Sequence, residues 1–265
     1  IQKRGTYTDV VCNFKNQPSS LLKKERYMKE KIKQIVKKHP VLEKYLRIMI
    51  SGQKIKETRP KKILKGVDNV FDIDKSAILY NCTFDIAGNN NEIEICESSK
   101  LNNVIFYIRG DNNKIRIGRK VRFNSGGSIW IEDVNCEAII GDNTTFEDSH
   151  IAVTEPNSKI NIGTDCMFAY DIDIRTGDSH SIIDSITNER INYAQNINIG
   201  NHVWIASHVS ILKGVHISDN SVVATRAVVT KSFVEHNILI GGMPAKKLKE
   251  NINWERQRIY KKNYT

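Results

Sequence analysis

The feature that most constrains the fold is a six-residue repeat in the last third of the chain. An aliphatic residue recurs at every sixth position, and a small or β-branched residue stands four positions after each of the first five. The aliphatic series is Ile199, Ile205, Ile211, Ile217, Val223 and Val229, and the second series is Val203, Val209, Val215, Ser221 and Ala227. Such a short period is typical of stacked coils, in which each repeat buries its apolar face against its neighbours.

A longer repeat of the same kind precedes the hexads. Four isoleucines recur at a nearly constant spacing, and glycine follows the last three of them: Ile95, Ile117, Ile140 and Ile162. Three hexads would form one triangular turn, and we interpret the longer repeats as such turns with a few extra loop positions. The pattern therefore predicts an all-β domain of stacked parallel coils over residues 66–250.

Residues 1–65 differ from the rest of the chain in charge and pattern. They carry 19 Lys and Arg against 5 Asp and Glu, a balance of +14, whereas residues 66–265 carry −4. Apolar residues at helical spacing between Pro18 and Ile50 predict two helices, and Lys54 to Lys65 reads as a basic linker. We therefore divide the chain into a basic helical N-terminal region (1–65), the β domain (66–250) and a C-terminal tail (251–265).

This charge distribution bears on the partners of the chain. Because the larger part is mildly acidic, nucleic-acid binding finds little support. The basic N-terminal region could contact a membrane surface or an anionic polymer, or it could be a solvated helix. The five scattered cysteines predict reduced, mostly buried thiols. Since no run approaches the roughly 20 apolar residues of a membrane-spanning helix, we expect a cytoplasmic location.

The repeat is interrupted by a long insertion at residues 175–196, which contains one histidine, His180. Such a loop is where function usually resides, because the coils themselves are committed to packing. Histidine is the side chain whose unperturbed pKa suits a general base near pH 7. His180 is therefore the candidate catalytic residue, and a solvated histidine without a role is the alternative.

The hexads resemble those of the hexapeptide-repeat acyltransferases, whose fold is a left-handed parallel β-helix. The segments Thr176–His180, Asn188–Ile191 and Ile199–Ile205 resemble the galactoside and maltose acetyltransferases, and still more the capsular polysialic acid O-acetyltransferases. The resemblance implies transfer of an acetyl group from acetyl-CoA to a sugar hydroxyl of a bacterial capsular or surface polysaccharide, with His180 as the general base. Unlike in the sugar acetyltransferases, Asp178 and Ser179 separate Gly177 from the histidine.

The same resemblance implies which residues bind the substrates. Trp204, at the outward position of its hexad, would lie beside the acceptor and the pantetheine arm, or would pack at a subunit contact. We expect Asp178 and Tyr170 to contact the acceptor as well. Family positions and cations suited to the phosphates of acetyl-CoA give the donor-binding set, which besides Trp204 comprises Ser207, Thr225, Arg226, Thr230, Lys231, Pro244, Lys246 and Lys249. For any single lysine, a solvated surface charge is the alternative.

We further expect a homotrimer, because the outer faces of one prism offer no concavity that could enclose pantetheine. The family implies that His180 of one chain faces Trp204 of the next. No metal site is predicted, since His202 and His208 occupy equivalent positions on consecutive faces and cannot reach one ion. Two alternatives stay open: N- or O-acetylation of a small or nucleotide-linked sugar, and a non-catalytic trimeric scaffold.

Overall fold

The computed structural model describes residues 60–260, and this part of the chain consists of strands, turns and loops, with no helix. The strands form three sheets, which we call A, B and C. Each turn of the chain visits A, then B, then C, so that neighbouring strands of a sheet are three apart in sequence and parallel through most of the prism. The last two strands of sheet C depart from this rule: they pair antiparallel with each other, and the first of them pairs in parallel with the strand two before it. The sheets are the sides of a triangular prism, and the predicted all-β parallel β-helix is confirmed.

The strands are as follows. Sheet A contains β1 (Lys61–Lys65), β4 (Thr83–Ala87), β7 (Val104–Arg109), β10 (Gly127–Glu132), β13 (Ser149–Val153), β16 (Ile172–Arg175), β19 (Ser210–Ile211) and β22 (Val228–Val229). Sheet B contains β2 (Val70–Ile73), β5 (Glu92–Ile95), β8 (Lys114–Ile117), β11 (Glu137–Ile140), β14 (Lys159–Ile162), β17 (Ile197–Ile199) and β20 (His216–Ile217). Sheet C contains β3 (Ile78–Tyr80), β6 (Lys100–Asn102), β9 (Arg122–Phe123), β12 (Thr145–Phe146), β15 (Met167–Phe168), β18 (Trp204–Ile205), β21 (Val222–Val223), β23 (Leu239–Gly242) and β24 (Ala245–Lys249).

The core fills the interior of the prism. Successive side chains of a strand point to opposite sides, so in β7 Phe106 is fully buried while Tyr107 points outward. All the aliphatic residues of both repeats are buried, as predicted. Parallel register stacks like on like: Phe123, Phe146 and Phe168 lie ring on ring, with centroids 4.3 and 4.5 Å apart. Each such buried side chain contributes about 1.5–3 kcal/mol.

The turns have the predicted lengths. In the longer repeats Glu92 pairs with Lys114, one full long turn later, and in the hexad region Asn198 pairs with His216, three hexads later. The corners between sheets are turned by residues in the left-handed conformation, such as Asn143 with a φ of 61°. Asparagine tolerates this conformation better than most residues. We refer to the three edges of the prism as corners A–B, B–C and C–A.

The two ends of the described region refine the sequence-based division. The strand β1 lies inside the stretch assigned to the basic linker, and its pairing with β4 makes it the first strand of the prism. Four of its five side chains are exposed, so no alternating pattern marks it in the sequence. The helices predicted between Pro18 and Ile50 lie outside the described residues.

Part of the predicted C-terminal tail folds back on the prism. Trp254 is buried, its Nε1 donates to the carbonyl oxygen of His202 at 2.8 Å, and the two rings stack with centroids 4.2 Å apart. Arg256 donates to Asp165 at 3.0 Å and to the Thr145 hydroxyl at 2.8 Å. The tail is thereby fixed along corner B–C.

Two further expectations concern cysteines and the membrane. Cys82, Cys136 and Cys166 are buried free thiols, and burial raises the pKa of the Cys166 thiol to about 12, which makes it a poor nucleophile. Cys12 lies outside the described residues.

Residues 60–260 include no helix with the length and apolar character that crossing a membrane requires.

Candidate active site

The insertion leaves the prism after β16 and returns at β17, so it projects from corner A–B. Thr176, which follows β16, still contacts the preceding turn of the prism. Its hydroxyl accepts a hydrogen bond from the backbone nitrogen of Thr154 at 2.9 Å and donates one to the Thr154 carbonyl oxygen at 3.1 Å. Gly177 then passes so close to Thr154 that a Cβ atom would lie 2.6 Å from its hydroxyl oxygen. A larger residue at this position would displace the Thr154 side chain, and the chain departs from the prism immediately afterwards.

Asn192 organises the inner part of the loop. Its side chain is buried, and its Nδ2 donates to the carbonyl oxygen of His180 at 2.8 Å and to Asp178 Oδ2 at 2.9 Å. Its Oδ1 accepts hydrogen bonds from the backbone nitrogen of Ile182 at 2.7 Å and from Arg190 Nε at 3.2 Å. One amide group therefore fixes the backbone that follows the candidate base and the Asp178 side chain that precedes it.

Charged side chains tie this loop to the prism. Lys213, at corner A–B in the following turn, forms an ion pair with Asp178 and donates to the carbonyl oxygen of Asn192 at 2.9 Å. The hydrogen bond from Lys213, with a further one from Asn192, lowers the pKa of the Asp178 carboxyl and keeps it ionised at neutral pH. On the other side Arg190 pairs with Glu155 of the preceding turn.

The imidazole of His180 itself is exposed and makes no side-chain hydrogen bond to any residue between 60 and 260. Ser179 before it adopts the left-handed conformation, with a φ of 62°. The backbone of the loop is thus held while the ring stays available to a substrate. An exposed base needs a second surface to exclude water and hold the reactants.

The outer part of the insertion is a small β-hairpin with an apolar surface. Ile183 pairs with Arg190 as an antiparallel bridge. Asp184 Oδ1 accepts hydrogen bonds from the backbone nitrogens of Ile186 and Thr187, both at 2.9 Å, and these bonds close the turn. Four isoleucines and a tyrosine of this segment are exposed, and Ile186 is 92% exposed; the five are Ile182, Ile183, Ile186, Ile191 and Tyr193. Exposed apolar side chains concentrated in one short segment suit an interaction with another surface.

Trp204 lies on face C, the outer side of sheet C. It is in register with Met167 and Val222 on the neighbouring strands, and its side chain points outward, as predicted. The ring of Trp254 from the docked tail lies 6.1 Å away, tilted by 49°. Because face C is opposite corner A–B in a triangular prism, a single chain does not bring Trp204 and His180 together.

The other predicted site residues fall into the same two groups. Asp178, Thr230 and Lys231 lie at corner A–B, near the loop that bears His180. The second group lies at corner C–A or at the end of face C: Tyr170, Ser207, Thr225, Arg226, Pro244, Lys246 and Lys249. Apart from the half-buried Ser207, the residues of this second group are exposed. Asp178 is engaged by Lys213, so it anchors the loop in this chain.

The two histidines considered as ligands lie at different corners. His202 Nδ1 is 2.7 Å from Asp165 Oδ2 at corner B–C, and His208 Nδ1 is 2.8 Å from Asp171 Oδ2 at corner C–A. Both adopt the left-handed conformation of a corner residue. In the described part of the chain no three His, Cys, Asp or Glu side chains converge as metal ligands would.

Sequence reasoning missed three residues that organise this region: Asn192, Lys213 and Trp254. Asn192 stands in a polar segment where nothing marks it apart from its neighbours, and Lys213 occupies an outward hexad position where a solvated lysine is ordinary. Trp254 carried a signal that could have been used, because a tryptophan in an otherwise polar tail is the residue that such a segment would bury.

No family model matches the chain. A polysialic acid O-acetyltransferase of Neisseria meningitidis is 36% identical over 130 residues, which span 49% of this chain and 60% of that relative. In structure, the polysialic acid O-acetyltransferase OatWY superposes with a TM-score of 0.71 at 34% identity, covering 78% of this chain and 95% of that protein. The chain belongs to the family of the polysialic acid O-acetyltransferases.

A second solved structure of the family agrees. The polysialic acid specific acetyltransferase NeuO superposes with a TM-score of 0.67 at 32% identity, over 76% of this chain and 89% of that protein. The match over most of the prism agrees with the left-handed parallel β-helix that the resemblance implied. The sequence match to the Neisseria relative spans less than two thirds of its length.

Proposed function

We propose that the chain transfers the acetyl group of acetyl-CoA to a sugar hydroxyl of a capsular polysaccharide that contains sialic acid, with His180 as the general base. The observation that carries the proposal is the match to OatWY over 95% of that protein. The insertion at corner A–B supports it, because hydrogen bonds and ion pairs anchor the loop around His180 and leave the imidazole accessible. The anchoring side chains are Glu155, Asp178, Arg190, Asn192 and Lys213.

The proposed reaction is a direct transfer. The imidazole of His180 accepts the proton of the acceptor hydroxyl while that oxygen attacks the thioester carbonyl carbon of acetyl-CoA. The bond from this carbon to sulfur then breaks, and the departing CoA sulfur takes the proton from the imidazolium. A positioned base of this kind contributes about 100- to 10,000-fold in rate. Asn192 and Lys213 support the reaction by fixing the loop.

We propose that the site is shared between subunits of a homotrimer. The residues expected in one site divide into a group at corner A–B and a group around face C, and these lie on opposite sides of one prism. If corner A–B of one subunit meets face C of the next, the two groups become the two walls of one groove. The exposed isoleucines of the hairpin would be covered in such a contact, and threefold symmetry would generate three equivalent grooves.

Acetyl-CoA would lie along the same groove. Arg226 on one wall and Lys231 on the other offer cations to the phosphates, and Lys246 and Lys249 add positive charge near the end of the prism. The hydroxyls of Ser207, Thr225 and Thr230 suit the amide groups of the pantetheine arm. Both walls of the groove would therefore contact acetyl-CoA, which agrees with a site formed between two subunits.

The direct test is an acetyl-transfer assay with purified capsular polysaccharides, including polysialic acid, read by NMR. We expect new acetyl ester signals that mild base removes. His180→Ala is expected to lower turnover at least about 100-fold while acetyl-CoA binding in calorimetry stays unchanged. The matched control is His236→Ala, which removes another exposed histidine and is expected to leave turnover unchanged.

The other outcomes would correct the proposal in defined ways. If His180→Ala keeps half of the activity, the histidine is not the base. A base-stable amide would indicate N-transfer to an amino sugar, and transfer to a nucleotide-linked sugar alone would exclude the polymer as acceptor. Failure to bind acetyl-CoA would favour the non-catalytic scaffold.

A further inference from the structure

Face C carries a straight column of outward-facing positions that leads to Trp204, and in its middle Thr145 is buried beneath Arg256 of the docked tail. The parallel register places Lys100 beside Arg122 and Arg122 beside Thr145, and two further steps lead through Met167 to Trp204. Neighbouring strands lie about 4.8 Å apart. Arg122 is therefore three strands, roughly 14 Å, from Trp204, and Lys100 is four strands, roughly 19 Å, from it.

A groove of about 860 Å³ lies at the far end of this column, along corner B–C. Four cations line it: Lys100, Lys120, Arg122 and Arg256. Arg256 donates its hydrogen bonds to groups within the protein: Asp165, the Thr145 hydroxyl and the carbonyl oxygens of Asn143 and Cys166. Asp165, the acid in the groove, is engaged by Arg256 and His202.

The other three cations are exposed and form no ion pair or side-chain hydrogen bond with any residue between 60 and 260. Cations on face B are treated differently. Lys114 pairs with Glu92, Arg116 with Glu94 and Lys159 with Glu137, in each case with an acid one strand away. Among residues 60–260 no acid pairs with Lys100, Lys120 or Arg122 in this way, and within this part of the chain their charge is available to an external anion.

We infer that this groove binds carboxylates of the acceptor polysaccharide, several sugars away from the one that reacts beside Trp204. The inference rests on the proposed function, because its ligand is the polymer named there, in which every sialic acid unit carries a carboxylate. Ammonium and guanidinium groups bind carboxylates by charge-assisted hydrogen bonds. A polymer that spans both the groove and the reacting site binds more tightly than a short chain that reaches only one of them.

The test compares two double variants with the same change in net charge. Lys100→Gln/Arg122→Gln removes the unpaired cations, and Lys114→Gln/Arg116→Gln removes two cations from face B as the control. The first is expected to raise KM for long polysialic acid about tenfold or more, since two charge-assisted contacts are lost. It should leave kcat, KM for acetyl-CoA and KM for a sialic acid trimer unchanged, and the control should leave all four values unchanged.

Direct binding separates this inference from the proposed function. Calorimetric titration of polysialic acid into the protein without acetyl-CoA should show the same loss in the groove variant, whether or not the wild type acetylates this polymer. Equal affinity of the wild type and the groove variant would overturn the inference while leaving the acetyltransferase assignment intact. Loss of the oligomer in the groove variant would overturn it too, because the groove would then be a subunit contact.

Discussion

Asn192 shows how one buried amide can position the loop that bears the candidate base. It holds four groups at once: the His180 carbonyl, the Asp178 carboxylate, the Ile182 amide and the Arg190 guanidinium. No substrate contact is needed for this role, so Asn192 is a positioning residue. Its effect on the reaction should appear in turnover more than in substrate affinity.

Asn192→Ala tests this role. The change leaves the His180 carbonyl oxygen and the Ile182 amide without their partner, at a cost of about 1–3 kcal/mol within the loop. A displacement of about 1 Å at the base can lower a rate about 100-fold. We expect kcat to fall by that order with KM for acetyl-CoA unchanged and acetyl-CoA still bound.

The control for this variant is Asn198→Ala, which removes an exposed asparagine of β17 that forms similar side-chain hydrogen bonds on face B. Its kcat should equal that of the wild type. A rise in KM for acetyl-CoA in Asn192→Ala without a fall in kcat would mean that Asn192 shapes the donor site instead of the base.

At the scale of elements, the insertion is a polar anchor that carries an apolar hairpin. The anchor uses charges: Asp178 pairs with Lys213, and Arg190 pairs with Glu155. The pKa of Asp178 is lowered by its hydrogen bond from Lys213. A carboxyl whose pKa falls on folding stabilises the folded state above its unfolded pKa, about 3.9, and loses that contribution as pH falls through the folded value.

This sign gives a pH prediction for Asp178→Asn. The wild type should have a higher Tm than the variant from about pH 5 to pH 8, and the difference should shrink towards zero as the pH falls below about 4. In a Lys213→Gln background the same substitution should change Tm far less at every pH, because the partner is gone. A Tm difference that persists at low pH would mean that packing or neutral hydrogen bonds of Asp178, and not its charge, stabilise the fold.

How far these elements follow from sequence depends on the distance over which their contacts act. The hexads and the longer repeats before them define the prism because each aliphatic residue packs against its own equivalent in the next turn. The loop with His180 stands out as an interruption of that period. Lys213 joins Asp178 from 35 residues away and Trp254 joins His202 from 52 residues away, and no local pattern records such pairings. The strand β1 was not predicted for the same reason, since its pairing with β4, and not its own sequence pattern, makes it a strand.

At the scale of the whole molecule, the prism separates the residues that the proposed reaction uses. His180 projects from corner A–B, Trp204 lies on the opposite face, and the candidate donor contacts divide between these two sides. The unpaired cations of the groove continue face C beyond Trp204. An assembly in which one corner meets the next face would join the base, the acceptor wall and the polymer track without any change within a subunit.

The central claim is that each active site combines His180 of one subunit with Trp204 of another. It is tested by mixing equal amounts of a His180→Ala chain and a Trp204→Ala chain, each inactive alone, reassembling them and confirming hybrid trimers by native mass spectrometry. In random hybrids a given site has both residues intact with a probability of about one quarter, so acetyl transfer should return to about a quarter of the wild-type rate. Verified hybrids that remain inactive would contradict the claim, because every site would then be built within one chain.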